Sequence, residues 1–187
     1  MTRRGTIGLA ALLAMALAGP AAAQHAGPGM HMHGADGMGH DMATMPGLRG
    51  LDASPEESFE MQVMFRSFPA IGREVTNLSN GIRAHTFSEN PDLASVIVSH
   101  VVGMIGRVEE GRDPQVFIQS PTLDILFERR DSITTEIEPT DTGVVVTQTS
   151  DDPEVVAALQ LHAAEVSDMA ARGMIAVHER MMTQARN

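Results

Sequence analysis

Residues 81–111 read GIRAHTFSENPDLASVIVSHVVGMIGRVEEG, and sixty-two residues later residues 143–173 read GVVVTQTSDDPEVVAALQLHAAEVSDMAARG. At that offset, with no gap, Gly81 falls on Gly143, Ser88 on Ser150, Pro91 on Pro153, His100 on His162 and Gly111 on Gly173. The correspondence extends upstream, Val63 meeting Ile125, Met64 meeting Leu126, Phe65 meeting Phe127 and Ile71 meeting Ile133. The chain therefore holds a duplication, with units at 61–111 and 123–173. Within each unit a short helix precedes two short strands about a turn, Asn80-Gly81 in the first and Asp141-Thr142-Gly143 in the second. A long helix follows, started by Asn90-Pro91 or Asp152-Pro153 and ended by glycine. Two such units predict an α+β fold, a four-stranded antiparallel sheet with two long helices packed on one face in a ferredoxin-like two-layer sandwich. A pseudo-twofold axis should relate the halves.

Most of the matches have a backbone reason. Gly81 and Gly143 are expected to take positive φ in the turns, the prolines suit a first helical turn, Asn90 and Asp152 cap, and Gly111 and Gly173 terminate. The inward stripes have otherwise drifted: Val96 became Ala158, Ile97 became Leu159 and Met104 became Val166. Histidine alone was kept without a backbone need. An imidazole on an apolar stripe costs free energy unless its nitrogens are paired. His100 and His162 are thus candidate cofactor or metal ligands, expected to approach each other across the axis. Met104, one turn after His100, would add a thioether. Two imidazoles and a thioether suit copper, or haem iron with axial histidines. The structural alternative is a pair of inherited core histidines bonded to the sheet or to acids, with Met104 as core filler.

Residues 1–23 have the three parts of a secretory signal: Arg3 and Arg4, an apolar run over 7–18, and the small residues Ala21 and Ala23 before Gln24. Gly19 and Pro20 cut the run short of the ~20 residues a bilayer span needs. Periplasmic export is the expectation, with no membrane span left in the mature protein. Residues 24–53 form a low-complexity arm, expected to be disordered. It carries His25, Met30, His31, Met32, His33, Met38, His40 and Met42, a His/Met mixture that favours copper over other first-row metals. The domain is expected over 54–187, opened by Ser54, Pro55 and two acids as a helix start.

Composition narrows the functions further. The 187 residues carry 13 basic side chains, all arginine, against 24 acids, a net charge of −11 that becomes −13 once Arg3 and Arg4 are removed. Such a surface repels nucleic acid and anionic lipid and favours small cations. There is no cysteine, so disulfides, thiolate chemistry and covalent haem attachment are excluded. Six phenylalanines are the only aromatic rings besides histidine, which leaves an aliphatic, methionine-filled core and weighs against a haem pocket. No phosphate loop, nucleophile elbow, zinc-protease sequence or carboxylate dyad is present. His85, matched by Thr147, reads as a surface or edge residue. His178 with Met174, Met181 and Met182 reads as a frayed amphipathic C-terminus, or as a second soft-metal patch.

The segment Ser150, Asp151, Asp152, Pro153 through His162, with GVVVTQ before it and the earlier copy FSENPDLASVIVSH, resembles a group of secreted bacterial proteins with a duplicated strand-strand-helix unit. The likeness covers about residues 60–178 and implies export and the duplicated fold, but no activity. Members of that group tend to carry a histidine near the end of the short helix, where this chain has Phe68 and Arg130. A site that used that histidine would not carry over. These features together predict a non-enzymatic periplasmic metal-binding protein for copper. The alternatives are a b-type haem protein with paired axial histidines and an interaction module whose histidines are structural.

Overall fold

The capping chemistry at the front of each long helix is realised. In the computed structural model, which describes residues 48–186, Asn90 accepts from the backbone N–H of Asp92 and Leu93, and Asp152 from that of Glu154. At the first helix Ser54 and Glu57 form a reciprocal capping box. The elements in order are α1 (Pro55–Arg66), β1 (Gly72–Leu78), β2 (Gly81–Phe87), α2 (Pro91–Glu110), α3 (Thr122–Glu128), β3 (Thr134–Thr140), β4 (Gly143–Thr149), α4 (Pro153–Arg172) and α5 (Met174–Gln184). Single 3-10 turns, Phe68–Ala70 and Arg130–Ser132, precede β1 and β3. The fold is the expected α+β arrangement around one four-stranded antiparallel sheet, ordered β1-β2-β4-β3. Its layers match a ferredoxin-like sandwich, but the connectivity is helix, hairpin, helix twice over.

The two hairpins join through β2 and β4, and the register there is informative. Ala84 lies opposite Val146, and these are the same position of the two repeats. The pseudo-twofold axis therefore passes through the Ala84–Val146 pair, normal to the sheet. Gly81 and Gly143 flank it, and here the expectation needs correcting. Among the described residues positive φ occurs only at Gly111, Gly173 and Gln115, so neither turn glycine is kept for its φ. A Cβ on Gly81 would collide with the carbonyl oxygen of Gln148, and one on Gly143 with that of Thr86. Thr86 and Gln148 are again equivalent positions. These glycines are required because the opposite strand's backbone occupies the space of a side chain.

Packing interleaves the halves. One core cluster sets Ile82 and Ala84 of β2 against Leu126, Val155, Ala158, Leu159 and Ala163 of α3 and α4. Its counterpart sets Val144 and Val146 of β4 against Leu93 and Ile97 of α2. Each unit's strands are thus covered by the other unit's helices. The helix ends repeat the exchange, Phe68 lying over Gly173 and Arg130 over Gly111. Gln160 of α4 also donates to the carbonyls of Leu78 and Gly81 in the first hairpin, at 3.0 and 3.3 Å. The helix Pro91–Glu110 is long and apolar enough to cross a membrane by length and composition. In the fold it lies against α1 and β4.

Two boundaries shift. Residues 48–53, read as part of the arm, pack on the domain: Leu48 is buried with Ile118 and Val177, Gly50 bridges Val116, and Asp52 binds Arg107. An apolar side chain and an acid were enough to dock them. The C-terminal segment is not frayed, since α5 buries Ala176 and Val177 and packs Met174 and Met181 into that cluster, while His178 stays exposed. Arg107, only 4% exposed, ties these parts together. It donates to both oxygens of Glu57 and to the Asp52 carboxylate and carbonyl, so a fully buried cation on α2 fixes α1 and the segment before it.

Glycine at the centre of the sheet gives a first prediction. Gly81→Ala and Gly143→Ala should each cost about 3 kcal/mol or more, at the upper end of overpacking penalties, because the obstructing atom is backbone. Gly103→Ala on α2, where an added Cβ meets open space, should be neutral or stabilising. Equal stabilities for the three variants in urea unfolding would contradict the interlocked β2–β4 pairing.

Candidate functional site

Between the two long helices and the sheet lies a cavity of about 310 Å³ centred on the pseudo-twofold. Its walls are built in matched pairs: Phe65 with Phe127, Ala84 with Val146, Thr86 with Gln148, Met104 with Val166 and Val108 with Ala170 all line it. So do His100 of α2 and His162 of α4. The two histidines singled out by the repeat, and Met104, are therefore brought to one space. Drift within the duplication helps to open that space, because the α4 members of the pairs are the smaller: Val166 for Met104, Ala163 for Val101, Ala170 for Val108. Phe65, Phe68 and Phe127 line it, half of the chain's six phenylalanines. Low aromatic content over the whole chain therefore does not describe this wall.

Each imidazole has an acid at its Nδ1 edge. His100 Nδ1 stands 3.8 Å from Glu60 Oε2 of α1, and His162 Nδ1 stands 3.9 Å from Glu165 Oε2 one turn on in α4. Both separations exceed hydrogen-bond length, and both Nδ1 atoms are buried without a partner. The acids are anchored alike. Glu60 accepts from Ser99 Oγ through its other oxygen, at 2.5 Å, and Glu165 from Ser120 Oγ at 2.7 Å. They are not repeat equivalents, for Glu60 falls on Thr122 and Glu165 on Gly103. The same local arrangement thus arises twice from different positions. Metal-binding histidines donate their second ring N–H to a carboxylate of this kind, and here the acids stand beside Nδ1 about an ångström short of that bond.

Electrostatics favour the ligating form of His100. Burial pushes its imidazole down to about 4, against a weaker pull from Glu57, so the ring is a neutral base at pH 7. Burial pushes the Glu165 carboxyl up, but His162 and the Ser120 hydroxyl outweigh it and hold the group below the usual carboxylate range. Glu57 is held at about 2 by its hydrogen bonds from Arg107, against its partial burial. Among the described residues no three His, Cys, Asp or Glu side chains gather as a metal cluster. The nitrogen and sulfur donors lining the cavity are two imidazoles, of His100 and His162, and four thioethers, of Met61, Met64, Met104 and Met169.

The arm candidates His25, Met30, His31, Met32, His33, Met38, His40 and Met42 lie outside the described residues. His85 is not at an edge, because β2 is a central strand. It is half-buried, stacks on Phe87 at 4.7 Å between centroids, and leaves Nε2 buried without a partner. Sequence reasoning missed Glu60, Glu165 and Arg73. Glu165 was findable at three residues from His162 on one helix, and Arg73 falls in phase with the inward Ile71 and Val75. Glu60 carries no such signal, since its pairing with His100 depends on how α1 crosses α2. Comparison with known proteins gives no family model, curated protein or solved structure that matches the chain.

Two acid-sensitive windows follow. For His100 the folded value lies below the ordinary 6.5, so its contribution is complete above pH 6.5 and is lost as pH falls toward 4. Glu57 is lowered from 4.5 to about 2, so its contribution disappears between those values. Urea unfolding should show a loss on the order of 3 kcal/mol between pH 7 and 4 from His100, absent in His100→Leu. Glu57→Gln should flatten the lower window. An unchanged pH profile in His100→Leu would contradict the buried neutral imidazole.

Proposed function

We propose that this is an exported, non-enzymatic metal-handling protein whose folded domain holds its metal between His100 and His162. One observation carries the reading: both repeated histidines line a single ligand-sized cavity on the pseudo-twofold, each with a buried Nδ1 whose neighbouring acid stands beyond hydrogen-bond length.

The form of the metal follows from the space around it. A bare copper ion with His100, His162 and Met104 fits the donor chemistry. Yet the cavity, about 310 Å³, is on the order of ten times the ~30 Å³ share of one water. It falls at the lower end of cofactor sites, roughly 300–1,000 Å³, and like them is mostly apolar. A metal that brings four ring nitrogens needs only axial ligands from the protein. Haem b, held by His100 and His162 against Phe65, Phe68 and Phe127, is therefore the reading we favour for the cavity. Copper remains the reading for the arm, whose alternating His and Met supply soft donors.

Haemin, Cu(I) and Cu(II) titrations of the protein, of a version lacking residues 24–47 and of the His100→Ala/His162→Ala double variant separate these sites. The expected result is one haem per chain with a low-spin Soret band in both histidine-intact forms and at least tenfold weaker binding in the double variant. Copper stoichiometry should fall on removal of 24–47. Haem and copper binding unchanged by the double substitution would remove the folded-domain site and leave only the arm.

A further inference from the structure

Among the polar groups that line the cavity is a cation that neither repeat symmetry nor the histidines explain. Arg73, at the start of β1, lines it from the sheet side. Its Nη1 donates to Thr86 Oγ1, its Nε is buried without a partner, and no ion pair reaches it among the described residues. Burial lowers the guanidinium only to about 10, so it remains charged at neutral pH. A half-buried cation in a mostly apolar space, with donors left over, is costly unless something anionic completes it. The buried Arg107, by contrast, is completed by Glu57 and Asp52. The repeat equivalent of Arg73 is Thr135, so the charge was placed in one half only. Arg180 of α5, outside the duplication, adds a second cavity-lining guanidinium whose Nε lacks a partner.

We propose that the cavity takes an amphipathic carboxylate, its apolar body between α2 and α4 and its carboxylate on the guanidinium of Arg73. The planar fork of arginine matches a carboxylate through two parallel N–H donors, and Nε is the donor that stands free. The apolar lining excludes a small hydrophilic anion, which would leave most of the wall unsatisfied. The inference shares its cavity with the haem reading but not the metal: a haem propionate supplies the same chemistry as a long-chain or aromatic carboxylic acid.

The test measures binding of haemin, haemin dimethyl ester, palmitate and methyl palmitate to the full mature protein, to Arg73→Met and to His100→Ala/His162→Ala. At least one acid should bind about 10–100-fold more tightly than its ester, the range of a charge-assisted hydrogen bond. Arg73→Met should bring that ratio to about one. Because it removes an unpaired buried charge, Arg73→Met should melt no lower than the wild type without ligand, which separates lost recognition from lost folding. An Arg73-dependent preference confined to haemin, and weakened in the double variant, identifies a haem carboxylate. One confined to palmitate, and indifferent to the histidines, upholds the carboxylate site and removes the metal from the cavity. Acid and ester binding alike, an acid preference that survives Arg73→Met, or no binding of any probe would overturn the proposal.

Discussion

The pairing of β2 with β4 is the constraint on which the rest of the molecule depends. It places Ala84 against Val146 and brings the two strands' backbones so close at Gly81 and Gly143 that no side chain fits. With that register fixed, each hairpin presents its inner face to the helices of the other unit. Burial then requires both units at once: Ile82 needs α4, Val144 needs α2, and neither half has a core of its own. The duplication is less a pair of similar modules than one interleaved core whose parts happen to repeat.

The cavity follows from the same geometry. The two core clusters sit on either side of the axis, and the space between them is walled by equivalent residues from both halves. A position near the axis meets its own copy, which is why a histidine repeated at that level yields two imidazoles in one space. Selection has since acted on the halves separately. The α4 side lost volume, the acids beside the two Nδ1 atoms came from α1 in one case and α4 in the other, and Arg73 appeared only once. Symmetry supplied the two imidazoles, and departures from it supplied the room, the acids beside them and the Arg73 guanidinium.

Much of this was legible beforehand because duplication turns a single sequence into its own comparison. The order of elements, the capping residues, the long-helix stripes and the singling out of His100 and His162 all came from aligning the chain with itself. What escaped depended on long-range geometry. Glycine at 81 and 143 read as a turn residue, whereas the strand across the axis is what demands it. Arg107 carried no signal in the sequence, and its role as the buried tie between α2, α1 and Asp52 required the crossing of those segments. Leu48 lay in a stretch whose composition resembles an arm, and a single docked leucine does not alter composition. Low aromatic content argued against a haem pocket only while the phenylalanines were counted and not placed.

The central claim is that two imidazoles from equivalent positions address one ligand. Electron paramagnetic resonance of the ferric-haem-loaded protein lacking residues 24–47 tests it most directly, because the g-values of low-spin iron report its axial ligands. The account predicts a bis-imidazole spectrum that loses this character in His100→Ala and in His162→Ala alike. A spectrum with a single protein nitrogen, or one indifferent to either substitution, would contradict it.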